Sequence, residues 1–139
     1  MKRREAREIA FYLTFEKDFM KEDSCKDIYD KAIVCLDKPE ISDDPYIYST
    51  FVGVFNHLEE IDSMIEEASA NWETERISRV SKAIIRLAAY EIIYVPDIPV
   101  KIAVNEAVEI SKKFDDEKAF SFINGVLAKI ALKADKTDE

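Results

Sequence analysis

The feature that most limits the fold of this 139-residue chain is its scarcity of glycine and proline. The chain has two glycines and four prolines, whereas proteins built of many short strands and turns depend on both residue types. Apolar residues make up 47% of the sequence, which is enough to bury a packed interior in one small domain. The composition therefore favours helices joined by short connections.

Apolar residues recur at helical spacing in seven segments, and no segment alternates for long enough to predict a strand. The first segment covers residues 3–20. The fifth begins near Ser78, ends before Pro96 and is apolar over much of its circumference, as expected of a central helix. We predict an all-α protein with about seven helices, a single domain over residues 1–134 and a solvated tail at residues 135–139.

The sequence contains no recognisable catalytic or metal-binding motif. His57 is the only histidine, and Cys25 and Cys35 lack the spacing of a redox or metal-binding pair. Both glycines are isolated, so the chain has no glycine-rich loop of the kind that cradles phosphates. Neither a secretory signal nor a membrane-spanning stretch is recognisable. We predict a non-enzymatic, cytoplasmic protein that needs no cofactor or metal.

The densest basic cluster lies at the start of an otherwise acidic chain. Lys2, Arg3, Arg4 and Arg7 fall within seven residues that hold one acid, Glu5, whereas the whole chain has a net charge of −9. Cations at a helix N-terminus oppose the macrodipole, so this cluster disfavours its own helix. Arginine binds phosphate in a bidentate manner, and arginine-rich segments recognise RNA. Spacing alone supports an RNA-binding segment and a solvated helix end about equally.

Polar residues in apolar surroundings form a second feature of the last three helices. They are Tyr90, Glu91, Asn105, Glu106, Asn124 and Gly125. An inward-facing polar group without a hydrogen-bond partner costs about 1–3 kcal/mol. A glycine inside a helix costs about 1 kcal/mol relative to alanine. We predict that these residues form a buried network that ties the fifth, sixth and seventh helices together, with a close helix crossing at Gly125.

A longer pattern resembles a known family. LAAYE at residues 87–91, DIPVKIAVNEAVEI at 97–110, SKKF at 111–114 and FINGVL at 122–127 have the order and spacing of the bacterial transcription antitermination factor NusB family. The opening RREAREIAFYLTFE is similar to the arginine-rich first helix of that family. The resemblance implies an all-α fold of two small packed helical bundles and no enzymatic activity.

The resemblance also implies partners and contact residues. NusB proteins bind the single-stranded boxA element of nascent RNA, including ribosomal RNA leaders, together with a ribosomal protein also called NusE. The pair joins other Nus factors on RNA polymerase and suppresses premature Rho-dependent termination, and some members form homodimers that cover the RNA surface. By position, the family pattern assigns RNA contacts to Lys2, Arg3, Arg4, Arg7, Lys118 and Phe122, and partner contacts to Arg79, Ser81 and Lys82.

The chain departs from the family pattern at two positions. Ser81 stands where some relatives have an acid. Asp115 replaces the glycine that commonly follows Lys113 and Phe114 in the family, which predicts a less favourable turn. Phe122 suits core packing as well as RNA stacking. Two other interpretations of the whole chain stay open: an RNA-binding domain cut from a ribosomal RNA methyltransferase, and a helical protein-binding module whose arginines are incidental.

Overall fold

The computed structural model describes residues 1–70 and 77–134. These ranges contain no strand, which confirms the predicted all-α class. They hold a 3-10 helix at Pro39–Asp43 and seven α-helices: α1 (Arg3–Phe19), α2 (Cys25–Cys35), α3 (Pro45–Asn56), α4 (Leu58–Ala68), α5 (Arg79–Tyr94), α6 (Val100–Phe114) and α7 (Ala119–Lys133). No helix in this part of the chain is long and apolar enough to cross a membrane. The predicted tail at 135–139 lies outside the described residues.

Side-chain caps fix the starts of three helices. Ser24 accepts a hydrogen bond from a backbone N–H at 3.1 Å, Asp44 accepts one at 3.0 Å, and Ser78 accepts one at 3.0 Å. Such a cap contributes about 1 kcal/mol to helix stability. By contrast, α1 begins after Lys2 without a side-chain cap, and its first turn is basic. Local sequence therefore favours the start of α1 less than the starts of α2, α3 and α5.

The helices pack into two hydrophobic clusters that share α1 and α3. The larger one is built around α5, α6 and α7, with residues from α4, and the smaller one joins α1, α2 and α3 around Leu13 and Phe51. Helix α5 contacts α1, α3, α4, α6 and α7, and every residue from 83 to 89 is buried. The prediction of a central fifth helix is confirmed.

A buried arginine on α5 adds a polar tie between helices. Arg86 is 4% exposed and donates two hydrogen bonds of 2.8 Å to the carboxylate of Asp62 on α4. Its Nη1 also lies 3.4 Å from a carboxylate oxygen of Asp18 on α1. Because a buried charge is costly unless it is paired, this arginine holds α1, α4 and α5 in one arrangement.

Gly53 on α3 is a glycine against which a side chain of another helix packs closely. A Cβ atom built on Gly53 would overlap the Tyr90 ring of α5, so only glycine allows this approach. Tyr90 is half-buried and stacks on Tyr94, with ring centroids 5.6 Å apart. The sequence interpretation treated Gly53 as an isolated glycine and placed a close helix crossing at Gly125, which stays a prediction.

Exchanging each glycine for alanine compares the two positions directly. We expect Gly53→Ala to lower the free energy of unfolding by about 1–3 kcal/mol, because Tyr90 must move. We expect Gly125→Ala to raise it by up to about 1 kcal/mol, because alanine favours the helix. Urea unfolding followed by circular dichroism measures both. Destabilisation by Gly125→Ala as large as that by Gly53→Ala would contradict this assignment.

Candidate nucleic-acid interface

Arg7 lies inside the protein, at the junction of α1, α3 and α5. It is 6% exposed, and its Nε donates to the two carboxylate oxygens of Glu91 at 3.2 and 3.3 Å. Tyr46 of α3 donates its hydroxyl to the same carboxylate. Burial and the neighbouring Glu91 raise the pKa of Tyr46 well above its ordinary value, so the phenol stays protonated. The phosphate contact predicted for Arg7 is therefore not supported, because its guanidinium is enclosed.

The predicted polar network between α5, α6 and α7 is wrong. Glu91 is buried, but it pairs with α1 and α3. Asn105 and Asn124 are exposed, because the core-facing stripes of their helices are formed by other residues, such as Ala103 and Ala107 on α6. Apolar neighbours in sequence do not make a position buried. Replacing Asn124 by leucine is accordingly expected to change stability by no more than about 0.5 kcal/mol.

Arg4 is held at the surface by Glu106 of α6. Its Nε and Nη2 donate to the two carboxylate oxygens at 3.1 and 2.8 Å. The Arg4 side chain is 59% exposed, whereas that of Glu106 is 15% exposed. The hydrogen bond from Arg4 lowers the pKa of the Glu106 carboxyl. Glu106 thus fixes the position of Arg4 and neutralises part of its charge.

The structure accounts for the acid within the basic start. Glu5 accepts a hydrogen bond of 2.8 Å from Lys38, which follows α2, and this bond lowers the pKa of Glu5. One turn later, Glu8 pairs with Lys113 of α6 at 2.9 Å. Both acids of the first three turns therefore form their ion pairs with lysines from other parts of the fold, and within the described residues neither forms one with a neighbouring arginine.

The exposed cations of the start form what we call the N-terminal basic surface, made of Lys2, Arg3 and Arg4. In the described part of the chain, neither Lys2 nor Arg3 forms a salt bridge. The Arg3 guanidinium lies over the Tyr46 ring, 4.2 Å from its centroid. A guanidinium on an aromatic face keeps its N–H donors at the edge available for an anion. These three residues can therefore contact phosphates without breaking a buried pair.

Lys118 and Phe122 lie at the start of α7. Lys118 is exposed, and its backbone N–H donates to the Asp116 carboxylate at 3.0 Å. Phe122 is half-buried and packs against the larger hydrophobic cluster. Part of the Phe122 ring packs against the hydrophobic core. Its stacking on an RNA base stays a prediction.

The residues assigned to partner contacts differ in their accessibility. Arg79 is exposed and lies over the Phe19 ring at 4.5 Å, and Lys82 is half-buried. Ser81 is 5% exposed and donates its hydroxyl to Asp115. Its predicted partner contact is therefore not supported. Asp115 has a φ of −113°, which any residue adopts, so the expected difficulty of this turn without glycine does not arise.

Phenylalanines spaced four residues apart along α1 form a run to which the sequence interpretation gave no role. The ring centroids of Phe11 and Phe15 are 6.2 Å apart, those of Phe15 and Phe19 are 5.0 Å apart, and Phe11 lies 5.4 Å from Phe114 of α6. The two ends of the run, Phe19 and Phe114, are 55% and 45% exposed. The spacing of four residues along α1 was the signal for this run.

Comparison with known proteins assigns the family. The sequence model of the NusB family matches residues 4–132. The chain belongs to the NusB family. The transcription antitermination protein NusB of Bacillus subtilis is 41% identical over 130 residues, which cover 94% of this chain and 95% of that relative. The family is non-enzymatic, in agreement with the prediction.

Solved NusB structures share the whole fold. NusB of T. maritima is 29% identical, with a TM-score of 0.80 over 96% of this chain and 92% of that one. A chain in a crystal structure of the antitermination factors NusB and NusE in complex with double-stranded RNA is 26% identical. It has a TM-score of 0.78, over 96% of this chain and 99% of that one. The NusB-like architecture implied by the sequence resemblance is confirmed.

Proposed function

We propose that this protein is a cytoplasmic transcription antitermination factor that binds boxA-type single-stranded RNA together with the ribosomal protein NusE. With other Nus factors on RNA polymerase, it would suppress premature Rho-dependent termination of nascent transcripts. The observation that carries this proposal is the exposed surface of Lys2, Arg3 and Arg4 on a NusB fold. A structural relative crystallised with NusE and RNA supports it.

The charge distribution suits selective RNA contact at one end of α1. The chain as a whole has a net charge of −9, so most of its surface repels a polyanion. Screening limits exposed charges to a range of about 8 Å at physiological salt, so the N-terminal basic surface acts locally. Phosphates of a single strand would meet Lys2 and Arg4, and Arg3 offers a planar face on which a base can stack.

The partner would dock on a separate surface near the start of α5. Arg79 and Phe19 are both exposed there, and Lys82 lines the adjacent cleft with Lys17 and Asp18. An exposed aromatic ring beside an arginine is a common composition of protein interfaces. Because this surface uses the end of α1 and the basic surface uses its start, both partners can be held at once.

The antitermination role is favoured over the methyltransferase alternative by what the similar proteins are. The antitermination proteins NusB of Bacillus subtilis and Acetivibrio thermocellus are 41% and 43% identical to this chain over 130 residues. The protein-binding alternative, in which the arginines are incidental, predicts no preference for any RNA. A binding experiment separates it from our proposal.

The test is a titration of labelled boxA RNA and a scrambled RNA of equal length, each with and without purified NusE. We expect boxA to bind at least about tenfold more tightly than the scrambled RNA when NusE is present, a difference near 1.4 kcal/mol. We also expect NusE to strengthen boxA binding. Equal affinity for both RNAs in the presence of NusE would overturn the proposal.

The contact between Glu106 and Arg4 implies competition with RNA. A phosphate that takes both donors of Arg4 must displace a carboxylate that already holds them. We therefore expect Glu106→Gln to raise RNA affinity by about twofold to fivefold, in line with the strength of an exposed ion pair. Fluorescence anisotropy measures the affinity.

Glu66→Gln is the charge-matched control for this variant. It removes the same charge from an exposed residue of α4, which lines a surface cleft with Asp62 and Ser63 and not with the basic surface. An increase in RNA affinity that is no larger for Glu106→Gln than for Glu66→Gln would show that only net charge matters.

A further inference from the structure

A cleft opens beside the N-terminal basic surface, between α1, α3 and the connection from α5 to α6. Its volume is about 460 Å³, within the range of pockets that hold small ligands. Its lining includes Arg3, Tyr46, Ser49, Thr50, Tyr90 and Asp97. Neither the core nor the proposed phosphate contacts account for this combination of an aromatic ring, hydroxyls and a carboxylate.

Tyr46 gives this cleft a rigid aromatic wall. Its hydroxyl donates to Glu91, which is 1% exposed and is itself paired with Arg7. The ring is therefore held from the protein side, whereas the guanidinium stacked on it belongs to Arg3, an exposed residue in the uncapped first turn of α1. A planar base can enter between Tyr46 and Arg3, because the Tyr46 ring is already fixed and only the exposed Arg3 side chain has to move aside.

Asp97 is the unexpected member of the cleft. It is exposed and, within the described ranges, its carboxylate forms neither a hydrogen bond nor a salt bridge. A carboxylate next to an RNA-binding surface repels phosphates, so it does not suit the RNA backbone. It does suit the donor groups of a base. Guanine presents two adjacent donors, N1–H and the 2-amino group, which match the two oxygens of one carboxylate.

We propose that this cleft is a nucleobase subsite for one unpaired guanine, stacked between Tyr46 and Arg3, with its N1–H and 2-amino group donating to Asp97. This inference rests on the proposed RNA-binding function and adds a preference for one base to it. Lys2 and Arg4 contact phosphates of any sequence, whereas Asp97 discriminates between bases.

The test uses three 12-nucleotide RNAs: all uridine, uridine with one central guanosine, and uridine with one central inosine. Inosine lacks only the 2-amino group of guanosine. We expect wild-type protein to bind the guanosine RNA about tenfold more tightly than the inosine RNA at low salt, because a hydrogen bond to a charged acceptor is lost. We expect Asp97→Asn to reduce this ratio to less than about twofold, without weakening binding to the all-uridine RNA, because a repulsive charge is removed.

Asp30→Asn is the matched control. Asp30 is an exposed aspartate on α2 that pairs with Lys26 and does not line the cleft. This variant loses the same charge and should keep the full preference for guanosine. If the wild type binds these RNAs without preferring guanosine, or if Asp97→Asn keeps the preference, the subsite is overturned and the proposed function stands. If the protein binds neither these RNAs nor boxA RNA in the presence of NusE, both the subsite and the proposed function are overturned.

Discussion

Replacing Glu91 by alanine should lower the free energy of unfolding by about 3–5 kcal/mol, because the buried Arg7 loses the carboxylate to which its Nε donates and keeps only Glu106, at 3.9 Å. Arg7 would keep a guanidinium that is 6% exposed, and the Tyr46 hydroxyl would lose its acceptor. Since these residues come from α1, α3 and α5, the loss affects the junction of both hydrophobic clusters. Urea unfolding followed by circular dichroism measures the change.

Two further variants show whether the pairing itself is responsible. The double variant Arg7→Met/Glu91→Leu removes both charges and should recover most of the stability, because apolar side chains of similar size often replace a buried ion pair well. Glu109→Ala, at an exposed position on α6, should change stability by no more than about 0.5 kcal/mol. If Glu91→Ala unfolds at the same urea concentration as wild type, the buried pair does not stabilise the fold.

The second large effect is expected on RNA binding. Lys2→Ala/Arg3→Ala/Arg4→Ala should weaken single-stranded RNA binding by about 10- to 100-fold at low salt, because up to three phosphate contacts are lost. Arg7 is left in place, since its removal would leave Glu91 buried without its cation, destabilise the fold and obscure any effect on RNA. We expect the thermal midpoint of the triple variant to stay close to that of wild type, because all three side chains are exposed.

A charge-matched control separates location from net charge. Lys26→Ala/Lys31→Ala/Lys129→Ala also removes three exposed cations, but from α2 and α7. It should change RNA affinity by less than about threefold, since screened charges act only over short distances. Equal losses in the two triple variants would mean that the start of the chain has no special role.

Local sequence signals were sufficient to predict the helices. The apolar positions of α5 cover most of its circumference and correctly indicated a central helix, and Ser24, Asp44 and Ser78 are capping residues whose chemistry requires no tertiary information. The order and spacing of LAAYE, DIPVKIAVNEAVEI, SKKF and FINGVL were sufficient to indicate the family. Both kinds of signal depend on residues close together in the chain.

The geometry of the site depends on pairs that are far apart in sequence. Arg7 and Glu91 are 84 residues apart, and Glu5 and Lys38 are 33 apart, so spacing did not reveal either contact. The four basic residues of the start looked equivalent, yet the fold buries Arg7 and exposes Arg3. For Asn124 the prediction was wrong in the opposite direction. Its apolar neighbours in sequence suggested that it is buried, but the residue faces solvent.

The most direct test of the account is the salt dependence of boxA RNA binding by wild type and by Lys2→Ala/Arg3→Ala/Arg4→Ala. Each phosphate contact on a single strand contributes a slope of about −0.7 to the logarithm of affinity against the logarithm of salt concentration. Three contacts at the N-terminal basic surface predict a slope that is less negative by up to about 2 in the variant. The same slope in both proteins would show that these residues contact no phosphate, and would contradict the account.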